Sequence, residues 1–231
     1  MKRIRSRRFA VVVGAVCMTV LTLVTPACDP AEIARLQSFV GQISPVDEAR
    51  LGLSWRPGCP VGPADLRLVT LSYWGFDGEG HQGELIVHRT VAGPVVDVFR
   101  RLWFEKFPIN RMETAERFAS PADFAPDGTF VERHEAPDTV NDTSAYFCRP
   151  TTGGGGWSQH SYGTAIDINP VQNPYIKRGL VIPINGVRDA RAPGTITSKS
   201  VVVTAFRRAG FRWGGVWRSL KDYMHFSVTG R

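Results

Sequence analysis

Two histidines and two aspartates have a spacing that could build a metal site. His160 and Asp167 lie in the segment Ser158–Asp167, whose sequence is SQHSYGTAID, and Asp222 lies three residues before His225. Two imidazoles and one carboxylate can occupy three corners of a tetrahedron around Zn²⁺. The fourth corner stays open for water, as in catalytic zinc sites. The sequence therefore predicts one zinc ion held by His160, Asp167 and His225.

A catalytic zinc site also needs a base and a group that stabilises negative charge. Asp222 is the candidate base, because a tight turn before His225 would bring its carboxylate close to the water. Arg149 follows Cys148 directly and could face a substrate carboxylate or a developing oxyanion. Ser158 is a candidate polar contact to the substrate.

A serine hydrolase is the competing interpretation of the same segment. Gly156–His160 approaches the motif G-x-S-x-G, in which Ser158 would be the nucleophile. However, His160 replaces the last glycine, and a strand rather than a helix is expected to follow. We therefore favour the metal site.

The elements that must position these residues are predicted to include several short strands. The runs 67–74 and 83–89 flank the turn GFDGEG and predict a β-hairpin. Apolar and polar residues alternate along 164–169, which would direct Asp167 to one face of a strand. Two final strands are expected at 211–213 and 225–228.

Two helices and a long loop complete the predicted domain. Pro94 opens a helix that ends at Phe107-Pro108, and Ser198 caps a helix that ends at Ala209. The Pro-, Asp- and Gly-rich stretch 119–142 predicts a surface loop. Because no βαβ unit repeats, the fold class is α+β: a single compact domain with an antiparallel sheet and flanking helices.

The N-terminus is typical of an export signal. Five basic residues between Lys2 and Arg8 precede an apolar run from Phe9 to Val24, and small residues follow. The run is shorter than the ~20 apolar residues that a spanning helix needs. We therefore predict a signal peptide at 1–27 that is removed, with no stable membrane span afterwards.

The remaining chain is expected to have a short lead and one large domain. Residues 28–54 show weak helical periodicity and predict a spacer or short helix, followed by one large domain at 55–231. Cys28 lies at the expected cleavage point, and lipid attachment there stays open. Cys59 and Cys148 are natural disulfide partners in an oxidising compartment.

The charge of the exported part argues against one class of partner. The whole chain has 28 Lys and Arg against 21 Asp and Glu. Five of the basic residues and no acidic residue lie in 1–27, so 23 basic and 21 acidic residues remain, a net charge of +2. This surplus gives little support to nucleic-acid binding. We expect a monomer without a nucleic-acid partner.

The motif S-x-H-x-x-G-x-A-x-D, followed by D-x-x-H-F, resembles a known family. It is similar to the zinc metallopeptidases of the D-alanyl-D-alanine carboxypeptidase family (the VanY-like group of peptidase family M15), which are related to phage L-alanyl-D-glutamate endolysins. The resemblance covers about residues 55–231 and implies a Hedgehog/DD-peptidase-like α+β fold. The stretches that carry it are 141–149, 157–174, 206–217 and 222–226.

The resemblance also implies a role for each candidate site residue. The positions of His160, Asp167 and His225 bind zinc in such enzymes, and that of Asp222 is the acid/base. Those of Arg149 and Ser158 bind substrate or stabilise the transition state. Relatives often have glutamate as the base. Aspartate is shorter by one methylene group, so the carboxylate of Asp222 has a shorter reach.

The function implied is zinc-dependent hydrolysis of a peptide bond in peptidoglycan stem peptides, with D-Ala–D-Ala carboxypeptidase activity favoured. One alternative is an L-Ala–D-Glu endopeptidase, and another is a non-catalytic module of the same fold that binds the cell wall. Because both histidines and both aspartates are present, the sequence favours an enzyme. The protein is expected to be secreted, periplasmic or wall-associated.

Overall fold

The computed structural model describes residues 38–125, 129–131, 137–151 and 155–231. The predicted signal peptide and Cys28 lie outside the described residues. None of the helices within these ranges is both long and apolar enough to cross a bilayer.

The first sheet is antiparallel and contains strands β1 (Gly41–Pro45), β2 (Leu66–Trp74) and β3 (Gly80–His88), in that order. β2 and β3 form the predicted hairpin, in which Leu66 pairs with His88 and Trp74 with Gly80. Val69 and Leu71 on β2 are buried in the main core, whereas Leu66, on the opposite face, is buried in a second cluster with Ile86 and Tyr146, so both faces of this sheet are partly covered.

The N-terminal edge of this sheet differs from the prediction. The helical periodicity assigned to 28–54 does not hold at 41–45, where β1 pairs with β2 from Gly41 opposite Leu71 to Pro45 opposite Arg67. An edge strand tolerates Pro45, which has no N–H to donate. A helix of four residues, α1 (Glu48–Leu51), follows.

Two longer helices cover the core. They are α2 (Ala92–Phe104) and α3 (Val201–Arg208), and the rings of Phe99 and Phe206 meet edge to face with their centroids 6.4 Å apart. Pro94 lies in the first turn of α2, as expected. α3 begins later than predicted, with Ser200 rather than Ser198 at the N-cap position.

Two smaller sheets carry the C-terminal half of the domain. One has the strand order β4-β9-β7 and the other β6-β5-β8, and all pairs are antiparallel. With three small sheets and three helices, the predicted α+β class is confirmed. The strands are β4 (Ala165–Asp167), β5 (Tyr175–Lys177), β6 (Leu180–Ile182), β7 (Arg212–Trp213), β8 (Lys221–Asp222) and β9 (His225–Ser227).

A buried asparagine fixes the end of β4 to distant parts of the chain. Asn169 donates from Nδ2 to the carbonyl oxygens of Pro108 (2.8 Å) and Gly194 (3.2 Å), and its Oδ1 accepts from the main-chain N–H of Asn110. Its φ of 45° lies in the left-handed region, which asparagine tolerates better than most residues. The three contacts hold the strand that carries Asp167.

The strand β4 also pairs with the segment that contains Asp142. Asp167 and Ser144 exchange main-chain hydrogen bonds of 2.9 and 3.1 Å. Asp142 is fully buried nearby, and its Oδ1 accepts a hydrogen bond from the N–H of Glu113 at 2.9 Å. Its Oδ2 has no hydrogen-bond partner among the described residues. Burial raises the pKa of Asp142 to about 8, because the charged form loses its hydration.

We expect Asp142→Asn to stabilise the protein in alkaline solution. A carboxyl whose pKa is raised by folding favours the folded state less as the pH rises from about 4, its unfolded value, towards 8. The amide keeps an acceptor for Glu113 and cannot ionise. Urea unfolding should show a gain of a few kcal/mol at pH 8.5, because each unit of pKa difference between the folded and unfolded states corresponds to about 1.4 kcal/mol, and a smaller gain at pH 5.

The matched control is Asp97→Asn, which changes an exposed aspartate on α2 that pairs with Arg100. The difference in the free energy of unfolding between pH 5 and pH 8.5 should be the same for Asp97→Asn as for the wild type. A gain from Asp142→Asn that is equal at pH 5 and pH 8.5 would contradict the ionisation argument.

Candidate metal centre

Strand register brings the first two candidate ligands together. β4 and β9 pair so that Asp167 lies directly opposite His225. Neighbouring side chains of such a pair lie on the same face of the sheet. The Nδ1 atom of His225 lies 2.9 Å from Oδ1 of Asp167, and both side chains are buried.

A short 3₁₀ turn, Gln159–Tyr162, brings His160 to the same carboxylate. The hydroxyl of Ser158 accepts from the N–H of His160 at the start of this turn, and Gly163 ends it with φ of 67°. A Cβ atom at Gly163 would lie only 2.6 Å from the main-chain nitrogen of His88, so only glycine fits. The hairpin of the first sheet therefore packs directly against the turn that carries His160.

The hydrogen bonds of His160 orient its ring. Nδ1 donates to the carbonyl oxygen of Ala145 at 2.5 Å, which leaves Nε2 to face Oδ2 of Asp167 at 3.1 Å. A ligand histidine usually has its second ring nitrogen fixed by such an acceptor. On the other side, Nε2 of His225 lies 3.2 Å from the main-chain oxygen of Arg231.

The three side chains fit a metal ion. One ligand atom from each of His160, Asp167 and His225 lies within 4.8 Å of the others, and all three residues are buried. Two imidazole nitrogens and one carboxylate oxygen form a donor set that suits zinc. The structure thus brings together the three predicted ligands.

The charges at this group are strongly coupled. Burial disfavours the ionised carboxylate of Asp167, yet the two neighbouring imidazoles hold its pKa well below its usual range. Burial also disfavours a charged His225, but its hydrogen bond to Asp167 and the attraction between them raise its pKa to about 9. An ionised Asp167 between two imidazoles gives the buried group the negative charge that favours a cation.

Asp222 lies beside this group on β8. Its carboxylate is buried, and Oδ1 has no hydrogen-bond partner among the described residues. Burial raises its pKa to about 7; Asp167 and Asp138 add to the increase, while His225 and Arg149 oppose it. These electrostatic couplings place the carboxylate near the His–Asp–His group.

A glycine allows this position of Asp222. A Cβ atom at Gly214 would lie 2.6 Å from the main-chain oxygen and 2.9 Å from the Cβ of Asp222. Gly214 begins a short 3₁₀ turn, Gly214–Val216, directly after β7. The close approach of the two backbones is the local feature that lets an aspartate occupy this position.

Arg149 is held by covalent and hydrogen bonds on its N-terminal side. Cys148 forms the predicted disulfide with Cys59, with their Cα atoms 6.0 Å apart. The hydroxyl of Ser161 accepts from the N–H of Arg149 at 2.9 Å and lies 2.7 Å from its carbonyl oxygen. The backbone of Arg149 is thereby tied to the turn of His160.

A small pocket lies beside two of the candidate ligands. The pocket is lined by Arg149, His160, Asp167 and Asp138. Asp138 lies in the stretch that the sequence predicts only as a surface loop. No local motif marks Asp138, because its position depends on how the loop folds back over β4. Ser158 is almost completely buried and caps the His160 turn, so its role as a substrate contact stays a prediction.

The described residues thus form a small α+β domain with a buried His–Asp–His group and a neighbouring carboxylate, Asp222, whose Oδ1 has no hydrogen-bond partner. Residues 152–228 match a model of peptidase family M15 that is described as D-alanyl-D-alanine carboxypeptidase. The predicted resemblance is confirmed there, in the segment that contains the three ligand candidates and Asp222. No solved structure matches the chain significantly.

We expect His160→Ala to abolish tight zinc binding. The change removes one ligand nitrogen from a three-residue site, so affinity should fall by more than the roughly 10–100-fold that the loss of an outer-shell partner costs. Metal analysis and calorimetric titration of the purified protein measure the stoichiometry and the dissociation constant. One zinc ion per chain is expected for the wild type.

The control is His81→Ala, which removes a half-exposed histidine paired with Asp77 near the tip of the β2–β3 hairpin. Its zinc content and affinity should equal those of the wild type. Unchanged zinc binding by His160→Ala would show that this histidine is not a ligand.

Proposed function

We propose that the protein is a zinc-dependent peptidase that hydrolyses a peptide bond in peptidoglycan stem peptides, with D-Ala–D-Ala carboxypeptidase activity favoured. The observation that carries this proposal is the buried group of His160, Asp167 and His225 near Asp222, whose Oδ1 has no hydrogen-bond partner among the described residues. All four residues lie in the segment that matches the carboxypeptidase family.

The residues divide the chemistry between them. Zn²⁺ held by His160, Asp167 and His225 would supply the Lewis acidity that polarises the peptide carbonyl and makes water more acidic. Asp222 accepts the proton of the attacking water at its carboxylate and then donates it to the nitrogen of the leaving amine. A pKa raised to about 7 suits both transfers near neutral pH, because neither direction is strongly opposed.

Arg149 supplies positive charge on the substrate side. Arg149 lines the small pocket beside His160 and Asp167, and its backbone is fixed by Ser161 and by the disulfide at Cys148. A guanidinium can bind a carboxylate through two parallel hydrogen bonds. We propose that it binds the terminal carboxylate of the stem peptide, which would make the enzyme a carboxypeptidase.

The proposed location follows from the expected domain order. We propose an exported protein with a signal peptide at 1–27 and a peptidase domain whose first sheet includes β1 at 41–45, ahead of the expected boundary at 55. The disulfide between Cys59 and Cys148 supports this location, since such bonds persist in oxidising compartments. Peptidoglycan is assembled outside the cytoplasm, where an exported peptidase would meet it.

The test is mass spectrometry of muropeptides after incubation with the exported part of the chain. Three samples are compared: zinc-loaded protein, chelated protein and the His160→Ala variant. Loss of a terminal D-Ala only with the zinc-loaded protein is the expected result. An internal cut would assign an endopeptidase, and no cleavage by a folded, zinc-bound protein would assign a wall-binding module.

We expect Asp222→Asn to retain zinc and lose turnover. The amide keeps the size of the side chain but cannot accept the proton, so kcat should fall by about 10²–10⁴, the usual contribution of a general acid/base. In the wild type, kcat/KM should rise with pH as Asp222 loses its proton. Steady-state kinetics across pH, with zinc content measured in parallel, check both statements.

The control is Asp97→Asn on α2, an exposed aspartate that pairs with Arg100 and lies outside the candidate site. It should have wild-type kinetics. If Asp222→Asn turns over at the wild-type rate, another group must be the base.

A further inference from the structure

Tyr175 lies opposite the proposed base, Asp222, on the neighbouring strand. β5 pairs with β8 so that Tyr175 lies directly opposite Asp222. The hydrogen bond from the N–H of Tyr223 to the carbonyl oxygen of Pro174 joins the neighbouring pair of residues. Tyr175 and Asp222 therefore form a non-hydrogen-bonded pair, the type in which facing side chains approach each other most closely.

The Tyr175 side chain is available to a ligand. It is half-buried, and its hydroxyl forms no hydrogen bond within the described part of the chain. Burial and the carboxylate of Asp222 raise the pKa of Tyr175 above its ordinary value. The phenol is thus a neutral hydrogen-bond donor at any pH at which the protein would work.

The two facing side chains have complementary chemistry. Asp222 has a buried oxygen without a partner, and Tyr175 has a hydroxyl without one, in each case among the described residues. If Asp222 protonates the leaving amine, the group next to it lies on the leaving side of the scissile bond. An amino acid that leaves carries a carboxylate or carbonyl oxygen close to that amine, and such an oxygen accepts hydrogen bonds.

We propose that Tyr175 is a substrate-binding residue whose hydroxyl donates a hydrogen bond to the carboxylate or carbonyl oxygen of the leaving amino acid. The inference rests on the proposed peptidase function and adds a residue from β5, outside both histidine motifs. It also assigns a role to the sheet β6-β5-β8: this sheet presents the base and a substrate donor on one face.

The experiment compares Tyr175→Phe with the wild type. Phenylalanine keeps the ring and removes only the hydroxyl, so packing is preserved. We expect KM for a stem pentapeptide to rise about 10-fold, the order expected for one hydrogen bond to a substrate, with kcat changed much less. Zinc content, the melting temperature and the pH dependence of kcat should stay as in the wild type.

Binding is measured separately from turnover in the Asp222→Asn background, which binds substrate without cutting it. Adding Tyr175→Phe to this variant should weaken the Kd for the pentapeptide about 10-fold in calorimetry. The matched control is Tyr73→Phe, which removes the hydroxyl of a half-buried tyrosine stacked on His81 in the first sheet. It should leave KM and Kd unchanged.

The outcomes separate this inference from the proposed function. Zinc-dependent cleavage by the wild type together with wild-type KM, kcat and Kd for Tyr175→Phe would overturn the role of Tyr175 alone. Absence of cleavage and of pentapeptide binding in the wild type would overturn both. A fall in zinc content or melting temperature that accounts for the loss would make Tyr175 structural and also overturn the inference.

Discussion

The buried carboxylate of Asp167 is the constraint on which the site depends. A carboxylate removed from water loses several kcal/mol of hydration unless charged or hydrogen-bonding partners replace it. His160 and His225 are those partners, with ring nitrogens 3.1 and 2.9 Å from its two oxygens. Each of the three side chains needs the others, so they must be brought together by parts of the chain that are far apart.

Pairing between backbone segments brings the three side chains together, in addition to the contacts between the side chains themselves. β4 lies between β9 on one side and the Ser144 segment on the other, which fixes Asp167 opposite His225. The Ala145 carbonyl in that same segment orients the His160 ring. The three-residue strand β4 thus positions Asp167 itself. It also pairs with the two segments that position His225 and orient His160. The long hairpin of the first sheet supports the turn that carries His160, because Gly163 packs against it without space for a side chain.

The ligand candidates could be predicted from the sequence because their spacing is local and chemically specific. Tyr175 and Asp138 could not, since their neighbours are decided by the register of β5 on β8 and by the path of a long loop, which depend on residues far away in the chain. The strand at 41–45 was missed for a related reason: weak helical periodicity there is outweighed by hydrogen bonds to the free edge of β2. A pattern within one segment therefore predicts the chemistry of that segment's side chains better than it predicts which other segments will contact them.

Two aspartates with different surroundings explain how one small site could both hold a cation and move a proton. Asp167 is buried between two imidazoles, which keep it ionised, whereas Asp222 is buried without a hydrogen-bonding partner for Oδ1, which favours its protonated form. Pairs of carboxyl groups whose environments separate their pKa values are how one fold assigns different roles to the same residue type. Gly214 permits the second of these environments, because it lets the backbone of Asp222 approach closely enough to bury the carboxylate.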